Sequence, residues 1–387
     1  MAQQGYRDGV RLNPVLDELG AYPITEIQER VRRMRDAGER IIDFSIGDPR
    51  EPTPPFIPEA MRAAIPAVSQ YPTPSGLPSL RRAIADYVAR RYGVEVDPET
   101  QVLPAAGAKE AIFSTPFAFV DRAADEVVVY GTPGYPIYER GARFAGAAVH
   151  PVRLGGDFVL RSGDIPAEVW PQARLLWTCT PHNPTGAITS AEDLARLYAS
   201  CREHGTLLLG DECYSDLYGH EPSPSVLQAG VEGALVYLSC SKRSGMTGYR
   251  SGAIVGDAAA IAALRSMRSS AGVASPEFVQ EAAAAAWGDD EHAAERREIF
   301  DEKRRVLRKA FDDTGHRVVA STAGLYLWVG VADDSAVTAA LLDHGVVVSP
   351  GSAFGPGGEG YIRLALVPTV EDCEEAVEVL VACLTGN

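Results

Sequence analysis

The 387-residue sequence is poor in the features that announce a membrane, a metal or a disulfide framework. It has no apolar run long enough to span a bilayer, which takes about 20 residues. Its six cysteines, Cys179, Cys201, Cys213, Cys240, Cys373 and Cys383, are scattered and form no C-x-x-C pair. Its seven histidines are equally dispersed. This spacing argues against a disulfide scaffold or a zinc site and points to a reducing cytoplasm. Basic residues are in short supply: 36 Lys plus Arg stand against 52 Asp plus Glu, a formal charge of -16. Such an excess repels nucleic acid and anionic membranes, but it says little about a small-molecule substrate, because a local basic pocket can sit inside an acidic protein. The polar stretch 1–11 lacks the apolar centre of a secretory signal. Internal repeats and low-complexity linkers are missing as well.

What is present is the composition of a globular protein, 46% hydrophobic and 23% charged, in a chain too long for one small core. Short apolar runs rich in Val, Leu or Ile predict buried strands over 126–131, 175–181, 206–212, 234–241 and 251–256. Helix-length stretches separate them. Over 190–204, Ser190 is a fitting N-cap, Asp193 follows three residues later, and Gly205 closes the helix. Alternation of this kind predicts an α/β fold, a mostly parallel sheet flanked by helices, with its site at the carboxyl ends of the strands. Beyond Pro276 the pattern changes. A charged, Ala-rich helical stretch runs to about 313 with a break near Gly288. Strand-like runs at 325–331 and 361–367 flank a helix over 333–344, and a last helix covers 369–384. These elements, with a helix over 26–37, are expected to form a smaller α+β domain. The expected division is 48–285 for the large domain, and 1–47 with 286–387 for the small one. The Pro-rich stretch 49–58 reads as an ordered crossing between them.

Four short motifs sit at the ends of predicted strands. Asn183-Pro184-Thr185-Gly186 follows the second run, and alone it reads as a turn. Asp211-Glu212-Cys213-Tyr214 follows the third, where an acidic residue is ordinarily a helix cap. Ser239-Cys240-Ser241-Lys242 follows the fourth, where a lysine is ordinarily a solvated end. Gly248-Tyr249-Arg250-Ser251-Gly252 opens the fifth, where an arginine in a Gly turn is ordinarily on the surface.

In this order and spacing the motifs resemble the fold type I pyridoxal 5′-phosphate (PLP)-dependent aminotransferases. The resemblance runs from about Ile41 to Val367. It takes in Tyr71-Pro72 with Gly76 and Leu80-Arg81, then Gly107-Ala108-Lys109, Pro133-Gly134-Tyr135 and Ile362-Arg363-Leu364. It implies that Lys242 bonds to the cofactor aldehyde, since only a primary amine condenses with it, and later moves the substrate α-proton. It implies that Asp211 pairs with the pyridine nitrogen and keeps it protonated. Asn183 and Tyr214 would hydrogen-bond the ring's phenolate oxygen, and Tyr135 would stack on the ring. The phosphate would be held at Gly107, Ala108 and Lys109, where a helix begins, and by Ser239 and Arg250. Tyr71 would reach the phosphate of a neighbouring subunit, which implies a homodimer with shared sites. Arg363 would grip the substrate α-carboxylate as a fork that Lys cannot replace, with Asn183 and Gly47 nearby. Lys109 is a candidate cation for the substrate's far end; its plain reading is a first-turn lysine that is solvated or serves the phosphate.

Two letter-level matches fail on context. Ser239-x-x-Lys242 fits the S-x-x-K pattern of serine β-lactamases, but it closes a strand, and S-D-N and K-T-G are absent. Gly355 to Gly360 spells G-x-G-x-x-G but leads into a strand. A regulator built on a degenerate aminotransferase domain would lack the intact Lys242, Asp211 and Arg363. A PLP-dependent carbon–sulfur lyase shares the cofactor site and stays open. Within the family, Asp211-Glu212-Cys213-Tyr214-Ser215, Ser241-Lys242-Arg243-Ser244 and Ser349-Pro350-Gly351-Ser352 resemble succinyldiaminopimelate aminotransferases of lysine and cell-wall synthesis. Leu12-Asn13-Pro14 and Tyr22-Pro23 fit that group. Met246-Thr247-Gly248-Tyr249-Arg250 is more similar to the aspartate and aromatic branch. Glutamate is the expected amino donor.

Overall fold

The structure is a computed structural model that describes residues 6–7, 10–20 and 25–385. Tyr22-Pro23 lies outside them. Seven strands form the main sheet: β1 (Val102–Ala105), β2 (Val127–Thr132), β3 (Ala148–Arg153), β4 (Ala173–Cys179), β5 (Leu207–Asp211), β6 (Ala234–Ser239) and β7 (Gly252–Gly256). Their order is β1-β7-β6-β5-β4-β2-β3. All run in one direction except β7, which is antiparallel to both neighbours. The central strands are buried on both faces, which explains their unbroken apolar runs.

The five predicted strands are present, shifted by a residue or two. The sheet has two more, and they are its edges. Each edge strand contains a proline, Pro104 in β1 and Pro151 in β3. Proline lacks the N–H for a second ladder, so it fits an edge and not a centre. That same residue hid both strands from the sequence pattern.

The helix Ala191–His204 is built as its sequence predicts. Ser190 Oγ accepts from Asp193 N at 3.0 Å, and Gly205 closes the helix in the left-handed conformation (φ 70°). The break near Gly288 separates Glu277–Gly288 from Glu291–Asp313. Beyond it, Val318–Val319, Tyr326–Gly330, Tyr361–Ala365 and Ser349–Pro350 form a second, antiparallel sheet. Its core joins Phe300, Leu307 and Phe311 of the long helix to Leu341, Leu364 and Leu380. Ile42–Asp43 pairs in parallel with Val346–Val347, which ties the N-terminal segment to this core.

The helix Thr25–Asp36 docks on the same side through Val31, packed with Ile41, Leu342 and Val347 and supported by Ile27 and Met34. Burying a valine is worth about 1.5–3 kcal/mol, more than a typical exposed ion pair at about 0–1 kcal/mol. The apolar stripe therefore sets the helix's rotation, and its polar face follows. No helix among the described residues is long and apolar enough to cross a membrane.

Candidate active site

Because six strands of the main sheet run one way and β7 the other, the carboxyl ends of the six and the start of β7 share one edge. Ala105, Gly252 and Ser239 lie in register across β1, β7 and β6, and Asp211 lies opposite Tyr237 and Cys179. This edge faces the second core across a cavity of about 1010 Å³, room enough for a cofactor and a substrate together. Ala108, Lys109, Tyr135, Asn183, Asp211, Tyr214, Ser239, Lys242, Arg250, Gly47 and Arg363 all line it. Gly107 stands directly beneath Arg250. Tyr71 does not line this cavity; its side chain is fully exposed.

Lys242 sits on the short helix Cys240–Arg243, whose N-cap is Ser239, with Oγ accepting from Ser241 N at 3.2 Å. The next residue anchors this turn. Arg243 is buried, pairs with Asp216 at 2.8 Å and donates to the Ala286 carbonyl at 2.6 Å. Lys242 Nζ donates to the Gly47 carbonyl. Burial lowers this amine to about 8, with Asp48 and Cys213 pulling the other way. An amine of this kind is half neutral, hence half nucleophilic, near pH 8.

Asp211 is buried at the cavity floor. Its Oδ2 accepts from Tyr138 OH at 2.7 Å and its Oδ1 from Cys213 N at 3.3 Å. Burial raises its carboxyl above the usual range, and the bonds from Tyr138 and Cys213 oppose that. Tyr138 itself stacks on Trp177, with ring centroids 4.9 Å apart. Glu212, equally buried, turns to the other face of the chain, accepts from Val226 N at 2.8 Å, and is raised by burial to about 8.

Arg250 has a left-handed backbone (φ 58°), a conformation that costs a non-glycine residue about 1–2 kcal/mol. Its Nη1 donates to the Thr247 carbonyl at 2.9 Å. The guanidinium lies where a side chain at position 107 would be: a Cβ on Gly107 would collide with Arg250 Nη2. Gly107 caps the helix Ala108–Ser114, and Lys109 stands exposed in its first turn. Burial, Arg250 and Arg140 lower the Lys109 amine.

Arg363, on Tyr361–Ala365, is buried. Nη1 donates to Asn183 Oδ1 at 3.0 Å and Nη2 to the Ser45 carbonyl at 2.6 Å. Its charge is sandwiched between the rings of Tyr326 and Phe354, each centroid 4.4 Å away. Its Nε has no hydrogen-bond partner, an arrangement that leaves a planar donor edge for an anion.

Several contacts add to the expected picture. The Ser45 carbonyl accepts from Arg363. Gly47 lines the same cavity and accepts from Lys242, and a Cβ there would meet Tyr326 OH at 2.7 Å. Tyr214 OH bonds Tyr326 OH at 2.9 Å. Tyr138, Tyr326, Phe354 and Ser45 escaped the sequence reading. They carry no motif; Tyr138 and Ser45 meet partners 73 and 318 residues away, and Tyr326 and Phe354 reach Arg363 only through the folding of the second sheet and the turn before it. The only available signal was the Pro133-Gly134-Tyr135 turn, which starts the helix that carries Tyr138.

The donor set fits pyridoxal phosphate on structural grounds. A buried carboxylate at the floor calls for a cation, a cradle without a Cβ calls for an anion beside Arg250, and an amine of lowered pKa stands between them. Among the described residues no cluster of three metal ligands exists.

The comparisons agree with this geometry. The family model of class I and II aminotransferases matches residues 39–380. An LL-diaminopimelate aminotransferase of Desulforudis audaxviator is 38% identical over 379 residues, covering 95% of this chain and 96% of that protein. The crystal structure of an aminotransferase from Neisseria meningitidis is 30% identical with a TM-score of 0.89, covering 96% of this chain and 99% of that one. A probable N-succinyldiaminopimelate aminotransferase from Thermus thermophilus is 27% identical with a TM-score of 0.87, covering 93% and 100%. The chain therefore belongs to the class I and II aminotransferases, enzymes that depend on pyridoxal phosphate.

Proposed function

We propose that this enzyme transfers an amino group between a diaminopimelate-type amino acid and 2-oxoglutarate. The observation that carries the amino-acid part is Arg363, a buried guanidinium with an open donor edge in the same cavity as Lys242 and Asp211. The relatives named for LL-diaminopimelate support the skeleton, and the free diamine is the form we favour. The succinylated form is the second reading. Its support is the Ser349-Pro350-Gly351-Ser352 and Ser241-Lys242-Arg243-Ser244 stretches and the likeness to the Thermus protein. A panel of amino donors, with both forms of diaminopimelate, aspartate and phenylalanine, tests this by single-turnover spectroscopy. Faster conversion with aspartate than with either diaminopimelate would overturn it.

When bound, the cofactor supplies the electron sink that lets the substrate α-proton leave. The chain's own residues do the rest. Arg363, held by Asn183 and Ser45 and flattened between two rings, fixes the α-carboxylate and so aims the α-carbon. Lys242 would hold the cofactor through its aldehyde and move the substrate α-proton. Asp211 would pair with the ring nitrogen, with Tyr138 fixing the carboxylate. Tyr214 and Asn183 would serve the phenolate oxygen and Tyr135 the ring face. Gly107, Ala108, Ser239 and Arg250 form the phosphate cradle. Lys109, beside that cradle, serves the phosphate or a distal carboxylate. Tyr71, exposed near Val68 and Ile65, is the residue we assign to a partner subunit's phosphate in a homodimer.

The site geometry sets the expected behaviour of two variants or conditions. Arg363→Lys keeps the charge and loses the fork, so KM for amino acids should rise by roughly tenfold to a hundredfold while the bound cofactor's spectrum stays unchanged. Unaltered kinetics would remove Arg363 from the substrate site. Reconstitution of the apoprotein should need the neutral Lys242 amine. Its rate with pyridoxal phosphate should therefore climb as pH rises through about 8 and level off above it. A midpoint at 10.5, the value of an ordinary lysine, would contradict the buried environment.

A further inference from the structure

The helix Thr25–Asp36 turns its apolar stripe to the second core, so its opposite face would ordinarily meet bulk water. Here that polar face lines the active-site cavity instead, through Gln28, Glu29, Arg32 and Arg35. Two of these hold the scaffold. Gln28 Nε2 donates to Ser45 Oγ at 2.6 Å, and Arg35 Nη2 donates to Asp43 Oδ2 at 3.2 Å. Ser45 in turn offers its carbonyl to Arg363. One residue thus joins the helix to the guanidinium assigned to the near end of the substrate.

Glu29 and Arg32 are different. They are exposed at the mouth of the cavity, three residues apart and so neighbours on one helix face. Among the described residues, neither makes a side-chain hydrogen bond or ion pair with another. The site therefore offers one negative and one positive group side by side, beyond the α-carboxylate site.

We propose that Glu29 and Arg32 are specificity-determining residues that read the far end of the substrate. Arg32 takes a carboxylate and Glu29 an ammonium, so the pair complements a distal group that is itself an α-amino acid. This rests on the diaminopimelate reading and adds to it the residues and the preferred form. Acylation of the distal amine removes the ammonium that Glu29 would meet. With a succinyl group it also brings another carboxylate toward Glu29, and like charges repel. Glutamate ends in a carboxylate alone and would use only the cationic member.

The test uses the holoenzyme and its Glu29→Gln, Arg32→Gln and Arg32→Lys variants. The substrates are LL-diaminopimelate, N-succinyl-LL-diaminopimelate and alanine, which has no distal group. Glu29→Gln should raise KM for the free diamine roughly tenfold or more, the effect of one lost charge-assisted hydrogen bond. Its kcat, and the alanine half-reaction, should stay as they were, and the succinylated substrate should bind equally well or better. Arg32→Gln should raise KM for both diaminopimelates, and Arg32→Lys should recover part of the loss. Equal changes for alanine and the free diamine would overturn the proposal while leaving the diaminopimelate reading intact. A wild-type preference for the succinylated form would overturn the role of Glu29. Turnover of alanine with neither diaminopimelate would overturn the substrate reading and this inference with it.

Discussion

Lys242→Ala is expected to lower amino transfer by at least about 10⁴-fold, because one side chain is assigned both the bond to the cofactor and the movement of the α-proton. Lys109 cannot substitute for it. It lines the cavity from the helix Ala108–Ser114, beside Arg250, and not from the turn that presents Lys242. The fold should survive. Alanine is a strong helix former, and the turn is anchored by the Ser239 cap and by Arg243 with Asp216. The apoprotein's stability carries a second signature. Lys242 falls from 10.5 to about 8 in the folded chain, so the unfolded chain binds more protons between those values. Stability from this group therefore rises with pH across that window, by about 3 kcal/mol as an order of magnitude. Lys242→Ala should remove that rise, which urea unfolding at several pH values would measure. Near-normal turnover, or a borohydride-reduced adduct mapped to another lysine, would refute the assignment.

Asp211→Asn should slow α-proton abstraction by several orders of magnitude, an effect of about 4 kcal/mol or more. The substitution is nearly isosteric. An amide oxygen can still accept from Cys213 N, and the amide nitrogen can donate to Tyr138 OH, so the floor of the cavity should keep its shape. What disappears is the negative charge. A ring cation at this buried floor would then face a neutral group, which would favour loss of its proton. Burial raises Asp211 in the absence of that cation, which means the apoprotein bears a cost for holding the carboxylate charged. The apo form of Asp211→Asn should accordingly melt no lower than the parent, and the gain in melting temperature on adding pyridoxal phosphate should shrink. Single-turnover rates close to the parent's would rule the role out. Tyr138→Phe should act in the same direction and more weakly, since it removes one of the two bonds that steady the carboxylate.

The sequence by itself determined what local chemistry can determine. Ser190 and Gly205 bound a helix because a cap and a left-handed closure act within a few residues. The strands carrying Asn183, Asp211 and Lys242 were legible because they are central and buried on both faces, which demands unbroken apolar runs. Their motifs stood out because turn, acid and amine chemistry concentrates at strand ends. Pro104 and Pro151 concealed β1 and β3, since a proline that excludes a central strand is tolerated at an edge, and only the assembled sheet says where the edges are. Tertiary structure alone decided that β7 runs backwards and so delivers Arg250 to the edge that carries Lys242. It also decided which rings enclose Arg363, because Tyr326 comes from the neighbouring strand of the second sheet and Phe354 from the turn before Arg363's own strand, and only the folded sheet and turn bring both rings to the guanidinium. Glu29 and Arg32 show the limit most plainly. Read along the helix they are an ordinary solvated face; Val31 and its apolar neighbours fix the rotation that turns this face into the cavity, and that rotation depends on a core whose other members, Leu342 and Val347, stand near the far end of the chain.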